Sequence, residues 1–155
     1  KRLAGENDHL ICSLIRNDDV IEFVKYTNQI NMNLESKISP SIYETNPFLI
    51  DKKPTIIDYA SFFGSIQIIR YLMFNKVAIT ESTWLYSIHS KNYELIHLLE
   101  ENNNQHSIDF YYDILFESIK CHHNELVDYI INNKIMDNQY NILKISIITV
   151  YESNT

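Results

Sequence analysis

Three stretches of this chain align without gaps, and that repetition constrains the fold more than any other feature. They run Ile66–Asn75 (IQIIRYLMFN), Tyr93–Asn102 (YELIHLLEEN) and Asn124–Asn133 (NELVDYIINN), and their closing asparagines stand 27 and 31 residues apart. Each carries paired aliphatic residues and another apolar pair three or four positions on. That is the stripe of an amphipathic helix rather than the alternation of a strand. Recurrence of such a stripe at roughly 20–50 residues is the mark of stacked structural repeats.

A second helix is expected before each stretch, at Ile56–Phe63, Trp84–Ser90 and Ile114–Cys121. Each holds a small residue at the matched place, namely Ala60, Ser87 and Ser118, which lets neighbouring helices approach closely. Short turns separate the paired helices: Gly64-Ser65, Lys91-Asn92 and His122-His123. Gly64 is the best helix terminator of the three, because glycine adopts positive φ without strain. Upstream, Leu10–Arg16, the turn Asn17-Asp18-Asp19 and Val20–Tyr26 form an earlier pair, with Asp18 or Asp19 placed to cap its second helix. Asn141–Val150 reads as the helix of a truncated closing repeat. The organisation expected is one repeat domain spanning 1–155. Residues 9–30 form repeat one, 31–52 an insertion, 53–79 repeat two, 80–108 repeat three, 109–136 repeat four and 137–155 the truncated end.

Helix pairs at this period resemble ankyrin repeats. The segment Thr55-Ile56-Ile57-Asp58-Tyr59-Ala60-Ser61-Phe62-Phe63-Gly64 is similar to the family's T-P-L-H-x-A-A-x-x-G. Ile68-Ile69, Leu72-Met73 and Asn75 resemble its second-helix pattern I-V-x-x-L-L-x-N. The likeness covers about Leu10 to Asn133. The phrases Ser13–Asp19, Asn46-Pro47-Phe48-Leu49 and Tyr59–Ile66 look especially like the divergent ankyrin-repeat proteins expanded in some parasitic protists. Ile56 stands where the family has Pro, Asp58 where it has His, and Lys76 where it has the second Gly. The fold class implied is all-α with possible short β-hairpins: an ankyrin-like helical repeat solenoid of about four repeats plus a terminal helix. A non-ankyrin helical solenoid is the structural alternative.

Composition narrows the function classes. Thirteen Lys and Arg against twenty Asp and Glu give a net charge of −7, and six protonated His would still leave it negative. Nucleic acids and anionic membranes select for surplus cations, so neither is an expected partner. With two Gly, three Pro and 45% apolar residues, the chain reads as globular and poor in turns. Two distant cysteines, Cys12 and Cys121, suit a reducing compartment, and no Asn-x-Ser/Thr sequon occurs despite abundant Asn. These features predict a cytoplasmic protein, a reading that the nucleus satisfies as well. The chain begins at Lys1 without Met, which suggests a piece of a longer protein.

No constellation predicts a reaction. Cys121-His122-His123 holds three ligand-type residues in one turn, where convergence on a metal is rare. It reads as an inter-helix turn. Glu94 and His97, three apart on a helix, read as a surface pairing. Neither glycine lies in a phosphate-cradling loop. Trp84 and many of the tyrosines read as core or inter-repeat packing rather than as a base-stacking platform. The expectation is a non-enzymatic protein without cofactor or metal. The resemblance implies a partner protein on the concave face, at the two residues before each inter-helix turn. Those positions are Phe62 and Phe63, His89 and Ser90, Lys120 and Cys121. A monomer is expected. The alternative is a structural spacer or cap inside a longer protein, with no partner of its own.

Overall fold

The computed structural model describes residues 5–102 and 106–135. They fall in two compact units, Lys1–Asn104 and Gln105–Thr155. The helix expected at Asn141–Val150 lies outside the described residues.

The first unit holds α1 (Leu10–Arg16), α2 (Val20–Gln29), α3 (Pro47–Lys52), α4 (Ile56–Phe63), α5 (Ile66–Phe74), α6 (Glu81–Ser90) and α7 (Tyr93–Asn102). The pairs α1/α2, α4/α5 and α6/α7 pack as hairpins of helices. Between pairs, α1 lies against α4, α4 along α6, and α2 against α5. The first helices therefore form one row, and α2 and α5 begin a second. The second unit holds α8 (Ile108–Lys120), α9 (Asn124–Ile130) and a π-helical turn at Ile131–Ile135. It is one further pair, with the π-turn packed on both of its helices.

The repeat is written into the backbone as well as the side chains. The residue after each first helix or its cap is left-handed: Asp18 (φ 50°), Gly64 (70°), Lys91 (51°) and His122 (50°). Three of these turns close with one bond type, in which Asp19, Ser65 and His123 N–H donate to the carbonyls of Leu14, Ala60 and Ser118 at 3.0, 2.9 and 2.9 Å. These are Schellman closures, which satisfy the last carbonyls of a helix. The recurring asparagines act alike at the second-helix ends. Asn75, Asn102 and Asn133 each donate their side-chain amide to the carbonyl four residues back, at 2.8, 2.8 and 2.9 Å. The small residues Ala60, Ser87 and Ser118 have no exposed surface. Paired aliphatics of the second helices are buried: Ile68 and Ile69, Leu95 and Ile96, Leu98 and Leu99.

Several boundaries move. Helix α6 starts at Glu81, ahead of the expected Trp84, because Thr80 N–H finds Thr83 Oγ1 at 3.2 Å. Helix α8 starts at Ile108 rather than Ile114, with Ser107 Oγ accepting from Phe110 N–H at 3.2 Å. Helix α2 continues past Tyr26 to Gln29. The insertion contains a helix of its own, α3, started by Asn46 Oδ1 accepting from Phe48 N–H at 3.0 Å with Pro47 in the first turn. Short β-hairpins are absent among the described residues. One antiparallel bridge, Lys37 with Thr55, ties the insertion to α4 through Ile38 N–H to Pro54 O (2.8 Å) and Ile56 N–H to Ser36 O (3.0 Å). Among the described residues no helix is long and apolar enough to cross a membrane.

Candidate protein-binding face

The register between α4 and α6 is fixed by one buried carboxylate. Thr55 and Asp58 form a capping box: Asp58 N–H donates to Thr55 Oγ1 at 3.3 Å, and Thr55 N–H to Asp58 Oδ2 at 3.2 Å. Asp58 Oδ1 then accepts from Thr83 Oγ1 of α6 at 2.9 Å. Asp58 stands at the motif's His position and joins two helices that both belong to the first row. A buried carboxylate needs such partners to offset its lost hydration.

With that register set, positions 27 apart meet at the other end of the helices. The Phe62 ring stacks on His89, centroids 4.9 Å apart and planes 25° off parallel. Phe63 meets Phe62 edge-on at 5.1 Å and Tyr59 at 4.9 Å. All four expected residues of this unit, Phe62, Phe63, His89 and Ser90, are half-buried. Ser90 is committed to its helix end, since its Oγ donates to Ser87 O at 2.7 Å and accepts from Asn92 N–H at 3.1 Å. Lys120 and Cys121 belong to the second unit. There the Lys120 ammonium sits 3.3 Å from Glu117, and Cys121 caps α8 with its N–H on Glu117 O at 3.0 Å. His122 and His123 form the turn into α9, as expected.

The aromatic pair is not bare. Phe48 of α3 reaches over it, with ring centroids 4.2 Å from His89, 4.9 Å from Tyr86 and 6.3 Å from Phe62. Phe48 and Tyr86 were not among the residues expected here. The start signal Asn46-Pro47 marks α3 in the sequence, but no periodicity says where its ring goes. Tyr86 follows Tyr59 by the repeat distance of 27 and is buried like it.

Polar chemistry concentrates behind this face. Arg16 donates from Nη1 to Asn7 O at 2.8 Å and to the Tyr59 hydroxyl at 2.9 Å, while its Nε meets Glu6 at 3.0 Å. Burial pushes the Tyr59 phenol well above the ordinary tyrosine range, and Cys12 beside it, also by burial, up to about 11. Burial and then the charge of Asp58 raise Tyr86 likewise. At neutral pH all three stay protonated, so none is an activated nucleophile or base. Glu94 pairs with Arg70 of the preceding repeat at 3.3 Å, and His97 with Glu100 at 3.6 Å, in place of the expected pairing of Glu94 with His97. Among the described residues, neither unit by itself gathers three His, Cys, Asp or Glu donor atoms at metal-ligand spacing. Compared with protein-family models, with curated proteins and with solved structures, the chain finds no match.

Proposed function

We propose that this chain is an ankyrin-like helical repeat array that binds a partner protein through the ends of its first helices. The observation that carries the reading is the stack of Phe62 on His89, two residues at the matched place of neighbouring repeats. A row of rings at equivalent positions gives a partner a continuous aromatic surface, and aromatics are the usual anchors of protein interfaces. In the sequence alignment of the helix pairs Lys120 holds the matched position of α8, in the second unit, where its ammonium lies 3.3 Å from Glu117. The function is recognition without chemistry, and the partner offers an apolar anchor together with an acidic group.

Affinity capture from the source organism tests this. Phe62→Ala combined with Lys120→Glu is expected to lose the captured protein while the helical circular dichroism is kept, with Tm lowered because Phe62 packs on Phe63 and His89. Losing a central aromatic costs about 2 kcal/mol or more of binding, and the charge reversal slows association. Glu94→Ala with Asp128→Ala, exposed positions of α7 and α9, is expected to keep the partner. The reverse pattern would contradict the assignment. Capture of nothing specific by the unaltered chain would favour the spacer reading.

A further inference from the structure

Helix α3 is weakly held for an element that covers the proposed face. It has six residues, and Leu49 is its only buried one. Ile50 is 48% exposed and Asp51 and Lys52 also face solvent. The helix ends on Lys53 at φ 50°, a left-handed conformation that is unfavourable for a residue with a Cβ. Helices this short do not sustain themselves without tertiary support. Its flanks, in contrast, are fastened independently. Upstream, Thr45 donates both N–H and Oγ1 to Gly5 O, at 3.0 and 2.8 Å. Downstream, Pro54 O accepts from Ile38 N–H at 2.8 Å. The segment between Thr45 and Pro54 is therefore a strap tied at both ends, held by buried Leu49 and by the grip of Phe48 on the rings of α4 and α6.

The seat under that grip is not fully satisfied. Tyr86 is 2% exposed, yet among the described residues its hydroxyl has no hydrogen-bond partner. A buried hydroxyl without a partner costs free energy, and the hydrocarbon ring of Phe48 offers it no hydrogen bond.

We infer that α3 is a displaceable cover, with Phe48 holding the seat of Phe62, Tyr86 and His89 until an aromatic side chain of a partner protein takes its place. This rests on the reading of that surface as the binding face. The closed strap keeps the apolar seat out of water in the unbound chain, and a partner must displace Phe48 to bind. Such competition weakens binding by the fraction of time that the cover is closed.

Native-state hydrogen exchange on the unaltered chain tests the cover directly. The Ile50 amide, bonded to Asn46 O at 3.1 Å, reports α3, and the Tyr59 amide, bonded to Thr55 O at 2.9 Å, reports α4. Local opening is expected to leave Ile50 at least about 100-fold less protected than Tyr59. Equal protection would mean that α3 opens only when the first unit unfolds, and would overturn the inference. A second arm uses the apolar dye 8-anilinonaphthalene-1-sulfonate as probe. Phe48→Ala is expected to raise dye binding several-fold while Tyr59 keeps its protection, and adding Phe62→Ala is expected to abolish the rise. No rise, a rise that survives Phe62→Ala, or loss of Tyr59 protection would each contradict the cover. Neither arm needs a captured partner, so failure of the binding-face reading shows in capture and failure of the cover shows here.

Discussion

Four residues occupy the same left-handed turn position, and only one of them is glycine. The reason lies in what the next repeat puts beside it. A Cβ on Gly64 would come within 3.2 Å of Ser90 Cβ and 3.3 Å of Asn92 Nδ2, both from the following pair. Gly64→Ala therefore meets unfavourable φ and a tight neighbour together, and is expected to destabilise by about 1–2 kcal/mol in chemical denaturation. Lys91 is left-handed too, at φ 51°, and is exposed. Lys91→Gly relieves the left-handed strain but loosens the unfolded chain, leaving a gain of about 0.5 kcal/mol. If both substitutions destabilise alike, the turns are not equivalent. At the same scale, Cys12 and Tyr59 have folded-state pKa values raised by burial. The native state therefore holds these protons more tightly, and stability present below the unfolded thiol pKa of 9.0 is lost as pH rises toward about 11. Tm is expected to fall over that interval, and iodoacetamide at pH 7.5 is expected to reach Cys12 only when the chain unfolds. Rapid alkylation of native Cys12 would contradict its burial.

At the scale of elements, α4 and α6 make the most extensive helix–helix packing of the first unit. It has Asp58 with Thr83 at one end, Phe62 with His89 at the other, and the small residues Ala60 and Ser87 between them. Ala60→Leu places three more carbons in a site with no exposed surface and is expected to cost roughly 1–3 kcal/mol. An unchanged denaturation midpoint would mean that the helices do not approach closely at Ala60. The helices themselves were legible because each stripe repeats at the helical period, as in Ile68, Ile69 and Leu72. Their starts were not, because Thr80 and Ser107 act through polar capping bonds rather than through the apolar stripe. Helix α3 is too short for periodicity to declare it. Phe48 escaped for a deeper reason: it lies in the insertion, outside the repeat, so no internal spacing points to its contact with Phe62 and His89. Asp58 looked like a departure from a motif and is the residue that registers two repeats, a role that requires knowing Thr83 is its neighbour.

For the molecule as a whole, the recurring features sit at spacings of 27 and 31 in both units: the left-handed turn residue, the small buried residue and the capping asparagine. On the repeat reading proposed above, stability is a sum of local terms, each pair supported by its neighbours rather than by a single central core. That claim is most directly tested by removing one period. Deleting residues 65–91 joins Gly64, the first residue of one inter-helix turn, to Asn92, the second residue of the next, and takes out α5 and α6 together. A modular array is expected to survive the cut. The shortened chain should keep a helical far-ultraviolet spectrum at nearly the same ellipticity per residue and unfold cooperatively at a lower Tm. A chain that loses its helicity, or melts without a cooperative transition, would contradict the repeat account.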